Sequence, residues 1–391
     1  MSATAGPRKD SATGTWWFVV DVGVGPNGRR RQAKRRGFKT KREAQESLDR
    51  LRVGHHDNTY VAPSHQTLRG FLVDDWLPAM RIRLEPSTWE SYERNLRLHV
   101  LPSIGGLTLQ SLDGARLNGL YARLLESGRK RGPGGLAPRT VRYIHTILHG
   151  ALKDAVRWDR VVINAATRAD PPSTRSTKPP EMRTWTRDDL ANFLDITADD
   201  RYQPAWLFLA TTGARRGEAL GLRWSDADLE TGQATIRQTI TCVGDEVHIA
   251  PRTKTDRVRR IELDARTVAV LRAWRARQAQ ERLRSGGEYD DHDLVFCRRD
   301  GKPFNPKRFS REFDRRLTRF ALPRIRLHDL RHTWATLALE AGIDVKVVAD
   351  RLGHSSPVIT WTIYQHVTPA MQSGAAEKVA GLIFGPRRLP S

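Results

Sequence analysis

The apolar run "TWWFVVDVG" (15–23), rich in aromatic and β-branched residues, reads as a strand. The "GPNGR" that follows carries an Asn-Gly pair suited to a hairpin turn, and the basic run "RRRQAKRRGF" returns as one or two further strands. At "TKREAQESLDRLRVG" the pattern takes the period of a helix. Thr40 stands at the N-cap position with Glu43 three residues on, the spacing of a capping box, and Gly54 ends the pattern. The expected unit is a small sheet plus one helix over 15–60, preceded by a disordered tail, 1–14. From 67 to 166 every pattern is helical. The helices are "TLRGFLVDDWLPAMRI", a second started by Pro86 and Ser87, a third within 108–127, and "APRTVRYIHTILHGALKDAVRW". Residues 167–184 are rich in Pro, Ser and Thr and poor in apolar positions, which marks an interdomain linker. Residues 185–391 read as one further domain. It has helices near 186–195, 203–212, 215–223, 264–284, 308–320, 328–341 and 345–352, and a strand region over 233–263. The fold class is therefore mainly α and multidomain: a small N-terminal sheet with a helix, an all-helical domain, and a mixed α+β domain.

The charge changes the picture. The chain has 391 residues and a formal net charge of +22. A soluble chain this basic is suited to a polyanion, nucleic acid first among them. Between Arg29 and Arg42 there are nine basic residues and no acid. Such a run is often only a solvated face. Within a small strand-bearing unit it points instead to DNA contact through Arg29, Arg30, Arg31, Lys34, Arg35 and Arg36. Two cysteines are too few for a disulfide framework or a cysteine-built zinc site. No apolar run reaches membrane-spanning length and the N-terminus has no apolar signal core, so a cytoplasmic, nucleoid-associated protein is expected.

Four stretches carry residues that can do chemistry. "LHDLRHTWAT" (327–336) sets His328, Arg331 and His332 at the start of an otherwise apolar helix. The two histidines have the i, i+4 spacing of a zinc pair, but a metal wants a third ligand and an intervening Arg opposes it. Surface pairing is a second reading. An anion site is the third, because cationic side chains at a helix start suit a phosphate. "TTGARRGEALGLRWSDAD" (211–228) offers a second arm. There the chain turns at Thr212-Gly213, Arg215 opens a helix, Glu218 lies at i+3 to orient it, and Leu220, Leu222 and Trp224 anchor the segment; Arg216 points elsewhere. "PRTKTDRVRRIEL" (251–263) looks like a hairpin carrying Lys254. "LGHSSPVITWTIYQHV" (352–367) places His354 at a helix end and Tyr364 ten residues later.

In chain order, from "TGAR" with its Glu through the hairpin Lys, "HDLRH" and "LGH" to Tyr364, over about 160 residues, these pieces resemble the tyrosine recombinase (phage integrase) family. The resemblance implies that 67–166 is a core-binding domain and that 15–60 is an arm-type DNA-binding domain with a three-stranded sheet packed on a helix. It implies that Arg215 and Arg331 hold the scissile phosphate and Lys254 protonates the leaving 5′-oxygen. His328 accepts or orients the nucleophile's proton, His354 donates a hydrogen bond to the phosphate, and Tyr364 attacks phosphorus to give a 3′-phosphotyrosyl link. Glu218 supports Arg215. His332 is left without a catalytic role and packs or hydrogen-bonds beneath the site. The covalent link conserves the phosphodiester energy, so the mechanism calls for no metal, ATP or other cofactor. The implied partners are double-stranded DNA attachment sites, a homotetramer on DNA, and accessory DNA-bending and directionality proteins. The stripe Met371, Ala375, Val379, Leu382 and Ile383 packs either on its own domain or, as the resemblance suggests, on a neighbouring protomer. The expected function is site-specific integration and excision of a phage or mobile element. Two alternatives are a type IB topoisomerase-like relaxing enzyme and a non-catalytic basic DNA-binding regulator.

Overall fold

The computed structural model describes residues 6–24, 30–56, 61–173, 182–250, 258–353, 380, 381, 383 and 385. The side chains of 22–24, 30, 31, 33 and 52–56 are outside that description. The chain divides into two compact units, Met1–Pro179 and Pro180–Ser391.

In the first unit, β1 (Arg8–Lys9), β2 (Trp16–Val24) and β3 (Arg30–Phe38) form an antiparallel sheet in the order β1-β2-β3. Helix α1 (Lys41–His56) follows, and Phe18 and Val20 bury themselves against its Ala44 and Leu48. The ordered structure begins earlier than the sequence pattern predicts. Arg8 pairs with Trp17 and Lys9 with Trp16, inside the stretch read as a disordered tail. A two-residue polar strand has no alternation to detect; its order comes from the ladder and from Asp10, whose carboxylate accepts the N–H groups of Ala12 and Thr13. Helix α1 also runs past Gly54 to His56, because a Gly inside a helix costs only about 1 kcal/mol. Thr40 caps it by accepting the Glu43 N–H at 3.1 Å, and Glu43 reaches back to Lys39 N rather than to Thr40 N. The Asn27-Gly28 turn lies outside the described residues.

The helical part opens with a rod, 68–80, made of α2 (Leu68–Gly70), a π-helical turn (Phe71–Trp76) and α3 (Leu77–Met80). A second rod runs through α4 (Pro86–Asn95), a π-helical turn (Leu96–Val100) and α5 (Leu101–Ile104). Helix α6 (Gly114–Ser127) starts on Asp113, which accepts the Arg116 N–H, and α7 (Pro138–Arg157) starts on a proline at its first position. The four bury one core that includes Phe71, Trp76, Leu96, Leu117, Ile144 and Leu148.

The second unit begins with Trp185, whose indole donates to Pro323 O at 2.9 Å, and with α8 (Arg187–Ile196), capped reciprocally by Thr186 and Asp189. Helix α9 (Gln203–Thr212) is buried almost all round. Short α10 (Arg216–Leu220) leads to β4 (Ala227–Asp228), β5 (Gln233–Ile236), β6 (Thr239–Val243), β7 (Glu246–Ala250) and β8 (Arg259–Glu262). Strand β8 pairs with β5, in the order β4-β5-β8, while β6 and β7 form a separate ribbon. Then come α11 (Ala265–Ser285), α12 (Pro306–Arg319), α13 (Asp329–Glu340) and α14 (Val345–Leu352). An aromatic cluster centred on Phe193, Trp206 and Phe313 fills the core beneath α9. No helix among the described residues is long and apolar enough to cross a membrane.

Candidate active site

The site is built where the end of α9 meets the end of α14. Helix α9 stops at Gly213, which adopts φ of +66°. Any side chain there would clash: a Cβ would lie 2.8 Å from Leu352 Cδ2 and 2.8 Å from Trp334 Cε3. Glycine therefore serves both the left-handed turn and the close approach of α14. Its carbonyl accepts Arg331 Nη1 at 2.8 Å, and Arg331 Nη2 donates to Leu352 O at 2.7 Å. Arg331 is only 4% exposed. A guanidinium is buried here because two main-chain carbonyls receive its donors.

Arg215 follows two residues after Gly213. It has extended geometry, φ −70° and ψ 148°, and stands as the N-cap of α10 rather than within it. Helix α10 is correspondingly shorter than the expected 215–223, and α13 begins at Asp329 with His328 as its cap. Arg215 Nη1 donates to Glu218 Oε1 at 2.8 Å and Nη2 to Gly353 O at 3.0 Å. Arg331 and Arg215 thus hold successive carbonyls, Leu352 and Gly353, at the negative end of α14. Arg216 points away and donates to Ser310 Oγ at 2.7 Å.

Glu218 is almost fully buried, at 2% exposure. Burial alone would raise its pKa. Hydrogen bonds and charge from Arg259, with the charge of Arg215, overturn that and hold the carboxyl at about 2. Arg259 is the residue that sequence reasoning missed; it had merged with the crowd of basic residues at 252–260. The available signal was strand alternation, which puts Arg259 on the same face as buried Ile261.

His328 and His332 meet edge to face, with ring centroids 5.2 Å apart. His328 retains accessible surface. Loss of hydration nonetheless lowers its pKa to about 4, helped by His332 and Arg331. His332 is lowered too, first by burial. Both imidazoles are therefore neutral near pH 7. Arg326 pairs with Asp329, with Nη2 2.7 Å from Oδ1 and its main-chain N–H on Oδ2. Groups whose pKa is depressed by folding stabilise above their unfolded value and lose that contribution as pH falls. His328 therefore predicts that the second unit loses stability on acidification from about pH 6.5 toward 4. Denaturant midpoints measured at pH 7.5 and 5 should separate, and His328→Gln should narrow the gap.

Among the described residues no group of three or more His, Cys, Asp or Glu is placed to hold a metal ion. Lys254, His354 and Tyr364 lie outside the described residues, as do Met371, Ala375 and Val379. On the sheet of the first unit, Arg29 and the side chains of Arg30 and Arg31 are likewise outside them. Lys34 and Arg35 do not share a face: Lys34 is opposite Val19, whereas Arg35 is opposite buried Phe18. The six-residue basic row is thus not one surface. Lys34 Nζ lies 4.6 Å from the Trp17 ring centroid, with the Arg8 guanidinium 6.0 Å away. Trp17 is thereby flanked by cations, an arrangement suited to a polyanion.

The chain is similar in sequence and in fold to known proteins. Residues 184–371 match the model of the phage integrase family, 8–52 an arm DNA-binding domain, and 70–125 the N-terminal SAM-like domain of phage integrases. A tyrosine recombinase XerC-like protein of Caldanaerobacter subterraneus is 26% identical over 94% of this chain and 96% of its own length. An integrase of Streptomyces ambofaciens is 26% identical over 95% of each chain. Among solved structures, the Tn1549 transposon integrase in complex with transposon right end DNA superposes with a TM-score of 0.62 at 19% identity, covering 80% of this chain and 100% of that one. The lambda integrase tetramer bound to a Holliday junction gives 0.57 at 14% identity, covering 93% and 95%.

Proposed function

We propose a residue-level mechanism for this chain, which belongs to the phage integrase family of tyrosine recombinases and is a site-specific DNA strand-breaking and rejoining enzyme. The observation that carries the proposal is the convergence of Arg215 and Arg331 on the successive carbonyls of Leu352 and Gly353, next in sequence to His354. Two guanidiniums fixed side by side match the extra negative charge of a pentacoordinate phosphorus better than that of the ground-state diester. Tyr364 Oη attacks phosphorus, the P–O5′ bond breaks as the P–Oη bond forms, and a 3′-phosphotyrosyl link results. His328, neutral near pH 7, orients the Tyr364 hydroxyl and takes its proton as the P–Oη bond forms. Lys254 supplies a proton to the leaving 5′-oxygen, and His354 donates to a phosphate oxygen. Attack by the 5′-hydroxyl of a partner strand reverses the steps and restores Tyr364. The reaction conserves one phosphodiester bond throughout, so no energy source enters the balance.

The DNA partner is double-stranded attachment-site DNA of a phage or mobile element. Residues 8–52 grip separate arm sites through the Trp17 face, and 67–166 grip the core site. Relatives solved on DNA as a dimer and as a tetramer support assembly of four protomers on paired sites. DNA-bending and directionality proteins assist this assembly in the bacterial cytoplasm. The test is a supercoiled plasmid, with or without a pair of attachment sites, incubated in EDTA. Recombinant circles only from the paired-site plasmid are expected. Efficient relaxation of both plasmids without recombinants would instead indicate a relaxing enzyme.

A further inference from the structure

We propose that Arg259 is a positioning residue for strand cleavage: it fixes the Glu218 carboxylate, through it the Arg215 guanidinium, and ties both to the end of α14. The proposal rests on the reading of Arg215 as a phosphate ligand. Arg259 Nη1 donates to Glu218 Oε1 at 3.0 Å and Nη2 to Oε2 at 2.5 Å, a two-pronged pair with side chains 10% and 2% exposed. Its remaining donor edge is used as well, since Nε donates to Arg351 O at 3.1 Å. Glu218 also accepts the Arg215 main-chain N–H and Nη1, each at 2.8 Å. One carboxylate therefore joins two guanidiniums, and Arg259 sets its plane. The Arg259 guanidinium also lies flat against Gly353, where a Cβ would come within 3.1 Å of Nη1.

The chemistry asks for this geometry. Arg215 must present the donors it does not spend on Glu218 and Gly353 to a phosphate. Its direction is set by Glu218, which alone could rotate in its buried site. A fork-shaped cation opposite removes that freedom, and a lysine cannot replace it. A buried ion pair of this kind is weak as a source of stability, since well-packed apolar residues serve as well or better. Arginine at 259 is therefore better explained by what it aligns. The charged groups facing Glu218 are Arg215 and Arg259, and Arg351 contributes only its carbonyl.

The test is single-turnover cleavage of a nicked attachment site by the full chain, comparing wild type with Arg259→Met, Arg259→Lys and the double variant Glu218→Gln/Arg259→Met. The double variant leaves no buried carboxylate without a counter-charge, so it keeps the test open should Arg259→Met fold poorly. Each variant is expected to bind DNA as wild type does and to cleave roughly 100-fold slower, the scale of a 1 Å misplacement. Arg259→Met should also acquire an acid limb in its pH–rate profile, as Glu218 protonates at higher pH, and the double variant should lack it. Cleavage should stay slow on a 5′-bridging phosphorothiolate, whose sulfur leaves without a proton, because the fault lies at Arg215. Wild-type rates in Arg259→Met, restoration by the phosphorothiolate, or parallel loss of DNA binding and melting temperature in all variants would overturn the proposal. Failure of the wild type to cleave would contradict the proposed mechanism instead.

Discussion

Tyr364→Phe is expected to bind attachment-site DNA as wild type does and to cleave none of it. The substitution deletes one oxygen and keeps the ring, so binding should be unaffected. Removing the nucleophile of a covalent mechanism costs on the order of 10⁴-fold or more. Among the described residues, the other tyrosines are poorly suited to take over. In the second unit, Tyr202 stacks on Trp206 and Tyr289 hydrogen-bonds Cys297 and Gln278. In the first, the Tyr121 hydroxyl pairs with His145 and Tyr143 reaches Ser91. Burial pushes Tyr92, Tyr121, Tyr202 and Tyr289 above the ordinary phenol value, the wrong direction for a nucleophile. Filter binding and a denaturing gel on the same samples would read both halves of the prediction. A covalent band that persists in Tyr364→Phe would assign the nucleophile elsewhere.

Arg331→Ala has the next largest expected effect, a loss of about 10³-fold in cleavage rate, the scale of deleting a donor that stabilises transition-state charge. It also touches the fold. Arg331 satisfies Gly213 O and Leu352 O, and each carbonyl left without its partner costs about 1–3 kcal/mol if water cannot replace the donor. The variant should therefore melt at lower temperature as well as cleave slowly. Arg331→Lys keeps the charge but not both bonds, so it should recover stability more than rate. Equal loss of rate and DNA affinity in Arg331→Ala would show instead that the residue serves ground-state binding.

Much of this arrangement was legible in the chain. The helices announced themselves through the Thr40 cap with Glu43 three residues on, the proline at Pro86, and continuous apolar periods. The pairing of Arg215 with Glu218 follows from spacing alone, and its contact appears at 2.8 Å. What escaped depends on partners distant in sequence. Gly353 O lies 138 residues from Arg215, and Arg259 lies 41 from Glu218. Arg259 resembled its neighbour Arg260 because burial is what distinguishes them, and a basic run hides a member that turns inward. Strand β1 was invisible because two polar residues carry no period. The π-helical turns at Phe71–Trp76 and Leu96–Val100 reflect packing within the helical core, which local propensity does not encode.

The most direct measurement is to trap the covalent complex on nicked attachment-site DNA in EDTA, digest both components and sequence the nucleotide-bearing peptide by mass spectrometry. The account predicts a single adduct, a 3′-phosphate ester on Tyr364. An adduct on another residue, or a 5′-linked one, would contradict it.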